Sequence, residues 1–223
     1  MRYLVMVSAI MIACLSSVLY AGQKRLSQAW YSEQISGKIR SNLAIYASTD
    51  YRYSNDDKTL DTQHNILGIN CDLNKWLSIA PFFRSVNYRT VKANLPDDWS
   101  IEYRPSVDIK IKWLYAFINF NYRSRFERRI YKTADDQWRF REKLEIKPKQ
   151  KWTALKFQPY IADEIFYQKN KDGFYRNWFI LGFDLNFIKP LKSGLFYQLQ
   201  SEHEKNDTNI YTDIVALKLN FDF

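Results

Sequence analysis

The stretch Ile118–Ile146 repeats a two-residue period on two consecutive arms, and no other feature limits the folds open to this chain as strongly. In the first arm Ile118, Phe120, Tyr122 and Phe126 fall on one face, while Asn119, Asn121, Arg123, Arg125, Glu127 and Arg129 fall on the other. In the second, Trp138, Phe140, Leu144 and Ile146 alternate with Arg139, Arg141, Lys143, Glu145 and Lys147. A soluble sandwich with its apolar face packed inward would use such a hairpin as readily as a barrel that turns the face to lipid. The rest of the chain chooses between them. Alternating runs recur to the last residue, tight turns alternate with longer polar loops, and Phe223 ends the chain as an aromatic on the apolar face. The pattern is that of an all-β chain forming a single antiparallel transmembrane β-barrel of the outer-membrane type.

Composition supports that choice. Aromatic residues make up 17% of the 223 residues and glycine is scarce at 6, an excess that aromatic girdles at two membrane interfaces would use. Mean hydropathy is −0.45, and past residue 21 no apolar run reaches the ~18 residues of a spanning helix. A net charge of +9 would suit nucleic acid, an anionic lipid surface or an anionic solute. Residues 1–21 argue against the first: Arg2, an apolar core from Tyr3 to Tyr20 and a small residue at Ala21 read as a secretory signal peptide that takes the chain out of the cytoplasm. Lipoprotein processing at Cys14 is the rival, with Met11 a poor fit at the head of that motif. If Cys14 leaves with the leader, Cys71 is the one remaining cysteine, and its phase with Leu67, Ile69 and Leu73 places it among the lipid-facing residues.

The expected organisation is a leader at 1–21, a periplasmic lead-in at 22–42 and the barrel at 43–223. Ten strands are counted from Leu43, with inward residues such as Tyr46, Asp50, Arg52, Asn70, Glu102, Arg104, Asp108, Glu164, Arg176, Gln198 and Glu202. The phase of Leu77–Arg89 is ambiguous because Phe82 and Phe83 are adjacent. Outer-membrane barrels have an even strand number, short periplasmic turns and both ends in the periplasm. Counting back from Phe223, the joints at Ser54, Thr90, Lys132, Lys171 and Asn206 are then outer; a strand at Trp30–Ile39 would break the parity. Trp99, Trp138, Tyr175 and Tyr211 mark the outer interface, and Trp113, Phe187 and Phe221 the inner one.

Leu217, Leu219, Phe221 and Phe223, alternating to a terminal Phe, resemble the insertion signal that bacterial outer-membrane barrels present to the insertion machinery. The larger pattern resembles the outer-membrane family catalogued as domain of unknown function 2490. The residues that carry it are Trp30, Asp50-Tyr51-Arg52, Tyr122 to Arg129, Arg139-Phe140-Arg141, and Pro159 with Glu164-Ile165-Phe166. Few strand glycines set this chain apart from the family habit. The resemblance implies a fold and an outer-membrane location, and no activity.

The expected barrel interior is ionic. If the hairpin turns about Ala134, Glu127 lies opposite Arg141 and Arg123 opposite Glu145, while Arg125 faces Lys143 and Arg129 faces Arg139. The basic cluster Arg123, Arg125, Arg129, Arg139, Arg141 and Lys143 then looks to Glu102, Asp108, Glu127, Glu145, Glu164 and Glu202 for partners. Two consequences are open: an ion-pair network that plugs the lumen, or a narrow path for small anionic solutes lined by unpaired Arg125, Arg129 and Lys143. A catalytic role needs a histidine beside a nucleophile. His203 faces outward, and His64 faces inward at a solvated loop edge with no Ser or Asp placed near it by spacing. The expectation is a non-enzyme without metal, cofactor or nucleic-acid partner; a lipid- or peptide-hydrolysing enzyme at the outer rim is the alternative.

Overall fold

The computed structural model describes residues 25–54, 58–90, 98–132, 134–154, 156–171, 173–186, 190–203 and 209–223. Eleven strands run through them: β1 (Arg25–Arg40), β2 (Leu43–Ser54), β3 (Leu60–Asp72), β4 (Leu77–Thr90), β5 (Asp98–Tyr115), β6 (Ile118–Tyr131), β7 (Gln137–Pro148), β8 (Gln158–Gln168), β9 (Gly173–Leu185), β10 (Leu191–His203) and β11 (Asn209–Asp222). Each pairs antiparallel with its neighbour in the chain. The circle closes between β1 and β11. That last pair is parallel, in register from Arg25 with Tyr211 to Ser36 with Asp222.

The chain therefore has eleven strands where its sequence suggests ten, and residues 25–40 are part of the wall instead of a lead-in. The physical reason lies in their outward face. There Ala29, Tyr31, Ile35 and Ile39 are broken up by Ser27, Glu33 and Gly37, while the inward Gln28, Ser32, Gln34 and Ser36 stand beside Leu26 and Trp30, so the contrast between the two faces is weak. What holds β1 is one large inward side chain and its edges. Trp30 packs edge-on against Trp178 at 5.6 Å between ring centroids, and the Arg52 guanidinium lies 3.8 Å over its ring. At the far end Ser36 hydrogen-bonds Asp222, Lys38 N donates to Phe223 O (3.3 Å) and Phe223 N to Ser36 O (2.9 Å). With an odd number of strands, Arg25 and Phe223 stand at opposite ends of the barrel, against the expectation of a shared end.

Elsewhere the alternation sorts side chains as the sequence suggests. Phe82 is buried inside and Phe83 is exposed outside, which removes the ambiguity in β4. Ile45, Leu67, Phe83, Tyr103, Leu144, Leu195 and Leu217 all face outward and are exposed. Trp76, Trp113, Tyr115 and Phe117 crowd the rim at the β3–β4 and β5–β6 turns; Tyr53, Trp99, Trp138 and Phe174 crowd the other. Tyr175 departs from the expected girdle: the register shift in the β8–β9 pair between Phe166 and Tyr167 turns it inward, 3% exposed, and Phe174 takes the rim position. The β5–β6 turn falls at Ala116 and Phe117, with Ala116 at φ 52°, three residues later than the tight turn expected at Trp113-Leu114. The leader (1–21) and Phe187 lie outside the described residues.

The interior is divided. On the β8–β11 side, Tyr160, Ala162, Ile180, Phe196, Ile214 and Ala216 form an apolar filling that Trp30 packs against. Opposite it the filling is ionic. Two glycines let aromatic rings lie across the wall: Tyr46, Gly68 and Phe82 are direct cross-strand neighbours, and so are Tyr160, Gly182 and Phe196. A Cβ on Gly68 would lie 2.5 Å from the Tyr46 ring and 2.7 Å from Phe82 Cβ, and one on Gly182 2.6 and 2.7 Å from Tyr160 and Phe196. Each residue of the second trio follows its counterpart by 114 positions.

Candidate functional site

The ionic filling is built on β4 to β8, with the expected hairpin β6–β7 at its centre. Its true register places Glu127 opposite Arg139, Arg125 opposite Arg141 and Arg123 opposite Lys143, two positions from the pairing suggested by a turn about Ala134; Glu145 faces Asn121 and Arg129 faces Gln137. Glu127, 0% exposed, is the hub. Arg139 binds it at 2.6 Å, Arg141 reaches it diagonally at 3.4 Å, and Arg84 and Arg125 stand at 3.7 and 3.8 Å. Four guanidiniums thus surround one buried carboxylate.

Around the hub the remaining carboxylates are each taken. Asp108 receives a two-pronged bond from Arg125 (2.6 and 2.9 Å). Glu102 accepts two bonds from Arg104 (2.6 and 2.8 Å) and two from Arg129 (2.6 and 3.0 Å). Glu164 is shared by Arg141, at 2.7 Å, and Arg123. Glu202 binds Arg176, and Glu145 binds Lys147 at 3.0 Å with Lys143 at 3.9 Å. Of the two expectations for Arg125 and Arg129, no partner or a partner among the carboxylates of other strands, the second holds for both, through Asp108 and Glu102 of β5. Among the described residues Lys143 has one carboxylate within 4 Å, Glu145 at 3.9 Å.

Several members were not legible as members. Arg84 was hidden by the uncertain phase of β4. Asp50 and His64 are direct cross-strand neighbours, with His64 Nδ1 3.5 Å from Asp50 Oδ2. His64 is 2% exposed, so it is a buried residue and not a solvated loop-edge one. Spacing along the chain could not bring Asp50 to it; the β2–β3 register does. His203 is exposed at the rim beside Asn209 Oδ1, as its phase suggests.

The network separates two spaces. One, of about 1020 Å³, opens toward the end that carries Phe223 and is lined by Lys38, Lys110, Lys112, Arg123 and Lys192 among others. The second, of about 380 Å³, lies toward the β2–β3 and β4–β5 loop end and is lined by Arg52, Arg84, Arg104, Arg129, Arg139, Arg141 and Arg176 with Glu102 as its one carboxylate. Arg84 borders both. Among the described residues no group of three or more His, Cys, Asp or Glu could hold a metal ion.

Residues 27–211 match the family described as a protein of unknown function (DUF2490). The chain belongs to this family. The DUF2490 match runs from the third residue of β1 to the third residue of β11, so it takes in β1 as well as every strand of the ionic layer. Of the stretches that resemble the family in sequence, Asp50 to Arg52, Tyr122 to Arg129, Arg139 to Arg141 and Glu164 to Phe166 contribute Asp50, Arg52, Arg123, Arg125, Glu127, Arg129, Arg139, Arg141 and Glu164 to this interior. None of the curated proteins matches the sequence.

Proposed function

We propose that this DUF2490 protein is an integral barrel of the bacterial outer membrane, exported by its N-terminal signal peptide, with a non-catalytic role and a lumen closed by its ion-pair layer. One observation carries the reading: Glu127 is wholly buried among arginines while Leu67, Phe83 and Leu217 stand exposed on the opposite face of the same wall. In water that distribution would expose apolar area at about 25 cal/mol per Å² and remove charges from solvent, a double cost that lipid outside the barrel reverses. The outward acids midway along the strands are consistent with it, because each has a donor beside it: Tyr31 for Glu33, Tyr122 and Ser124 for Glu142, Asn177 for Asp163, Tyr197 for Asp213. Outer-membrane lipids are then the partners of the outer face, and Leu217, Leu219, Phe221 and Phe223 the segment offered to the insertion machinery.

A second reading, a narrow pore favouring small anions, draws on the cation-rich lining of both spaces. Planar-bilayer recording of the refolded protein, with barrel closure checked by heat-modifiable gel migration, separates the two. The closed-lumen reading expects no steady current from inserted protein. Steady anion-selective steps would replace it with the pore, and a folded protein that leaves liposomes untouched would end both.

A further inference from the structure

We propose that the arginine-lined space at the loop end binds a phosphoryl-type oxyanion, with Arg84, Arg52, Arg176 and His64 as its ligands. The assignment goes beyond the membrane reading and does not depend on it. It starts from donors that the protein leaves without acceptors. The Nε groups of Arg84, Arg52 and Arg176 have no hydrogen-bond partner, His64 Nδ1 has Asp50 Oδ2 at 3.5 Å, and all four residues line the same space of about 380 Å³. Arg84 and His64 are 6% and 2% exposed. Elsewhere in the layer the guanidiniums are tied down: Arg104 and Arg129 saturate Glu102, and Arg139 is held by Glu127. Arg84 differs, its nearest carboxylate oxygen standing 3.7 Å away on Glu127.

A buried donor without an acceptor is costly, and one charged donor is costlier still. A space lined by seven arginines with Glu102 as its one carboxylate points to a missing group of matching chemistry: an acceptor with several ionised oxygens. The four residues come from four strands, β2, β3, β4 and β9. A phosphoryl group, with its three or more oxygens, can be shared among more donors than a two-oxygen carboxylate. Guanidinium forks are also the side-chain donors best matched to phosphate oxygens. Free phosphate esters and phospholipid headgroups present the same group. The space lies inside the strand wall, so a soluble organic phosphate is the assigned source.

The test is isothermal titration of pyrophosphate into the folded protein in a neutral detergent, at constant ionic strength set with sodium chloride. Saturable one-site binding is expected, weakened about tenfold or more in Arg84→Gln and in Arg52→Gln. Arg128→Gln, whose side chain is half exposed and pairs with Asp136, keeps the wild-type affinity. The two lumen variants guard against a single substitution that fails to fold, and each is titrated only after its barrel closure is verified. Absence of binding to the wild type, or equal binding by the folded variants, overturns the site. Binding that appears only with phosphatidylglycerol in the micelle overturns the soluble source.

Discussion

At the scale of single residues, Glu127 concentrates the energetics of the interior. Its carboxylate is the one acidic group within 4 Å of Arg84, Arg125, Arg139 and Arg141 together, at zero exposure. Removing its charge while keeping its shape leaves those guanidiniums facing each other without their common counter-ion. Glu127→Gln is therefore expected to lower unfolding stability by about 3–5 kcal/mol, read as an earlier urea midpoint of the micelle-refolded protein by tryptophan fluorescence. Arg128→Gln in the half-exposed Arg128–Asp136 pair should move the same midpoint by no more than about 0.5 kcal/mol. Equal effects would mean that burial does not govern these pairs. Glu127 also marks how far a sequence can be read. Alternation puts it inside, and Arg141 as its partner survives a register error of two positions because a long side chain reaches diagonally. For Arg125 and Arg129 the sequence names Asp108 and Glu102 among the candidate partners without saying which pairs with which: both acids sit on β5, and which β5 residue faces which β6 residue depends on a turn three residues beyond the one that the sequence suggests.

At the scale of elements, β1 is the strand that pattern alone does not reveal. A strand is read from the contrast between its faces, and this one has little: Glu33 stands on the outward face and Ser32, Gln34 and Ser36 on the inward one. It owes its place to pairing on two sides, antiparallel with β2 and parallel with β11, and to Trp30. The other ten elements, each with a marked apolar face, were legible to within a few residues. The seam can be tested directly. Ala29 and Val215 are partners across the parallel pair and both face outward, so cysteines there fall within disulfide reach. In a background with Cys71→Ser, Ala29→Cys with Val215→Cys should oxidise to a cross-link seen as a shifted band on a denaturing gel. A barrel closed by β2 against β11 would keep the two thiols apart, and no band would form.

At the scale of the whole molecule, the odd strand number has an internal explanation. The trios Tyr46–Gly68–Phe82 on β2–β4 and Tyr160–Gly182–Phe196 on β8–β10 occupy equivalent rows with the same spacing, and Ile66-Leu67-Gly68 is repeated as Ile180-Leu181-Gly182. On that alignment β1 corresponds to β7 and β5 to β11, while β6 has no counterpart, so β11 meets β1 where a twelfth strand would have intervened. The parallel seam is the geometric result. It separates the two ends of the wall: in proteoliposomes of uniform orientation, a protease site placed before Arg25 and one placed after Phe223 should never be cut from the same side, and cutting of both from one side would refute the eleven-strand closure. The same seam constrains assembly. An antiparallel hairpin can cross a bilayer as a unit, led by its turn, with its two free arms left behind on the side from which it came. In a barrel that spans a bilayer as proposed, ten strands can be delivered in such couples while the eleventh has no companion, so one length of chain would travel across singly.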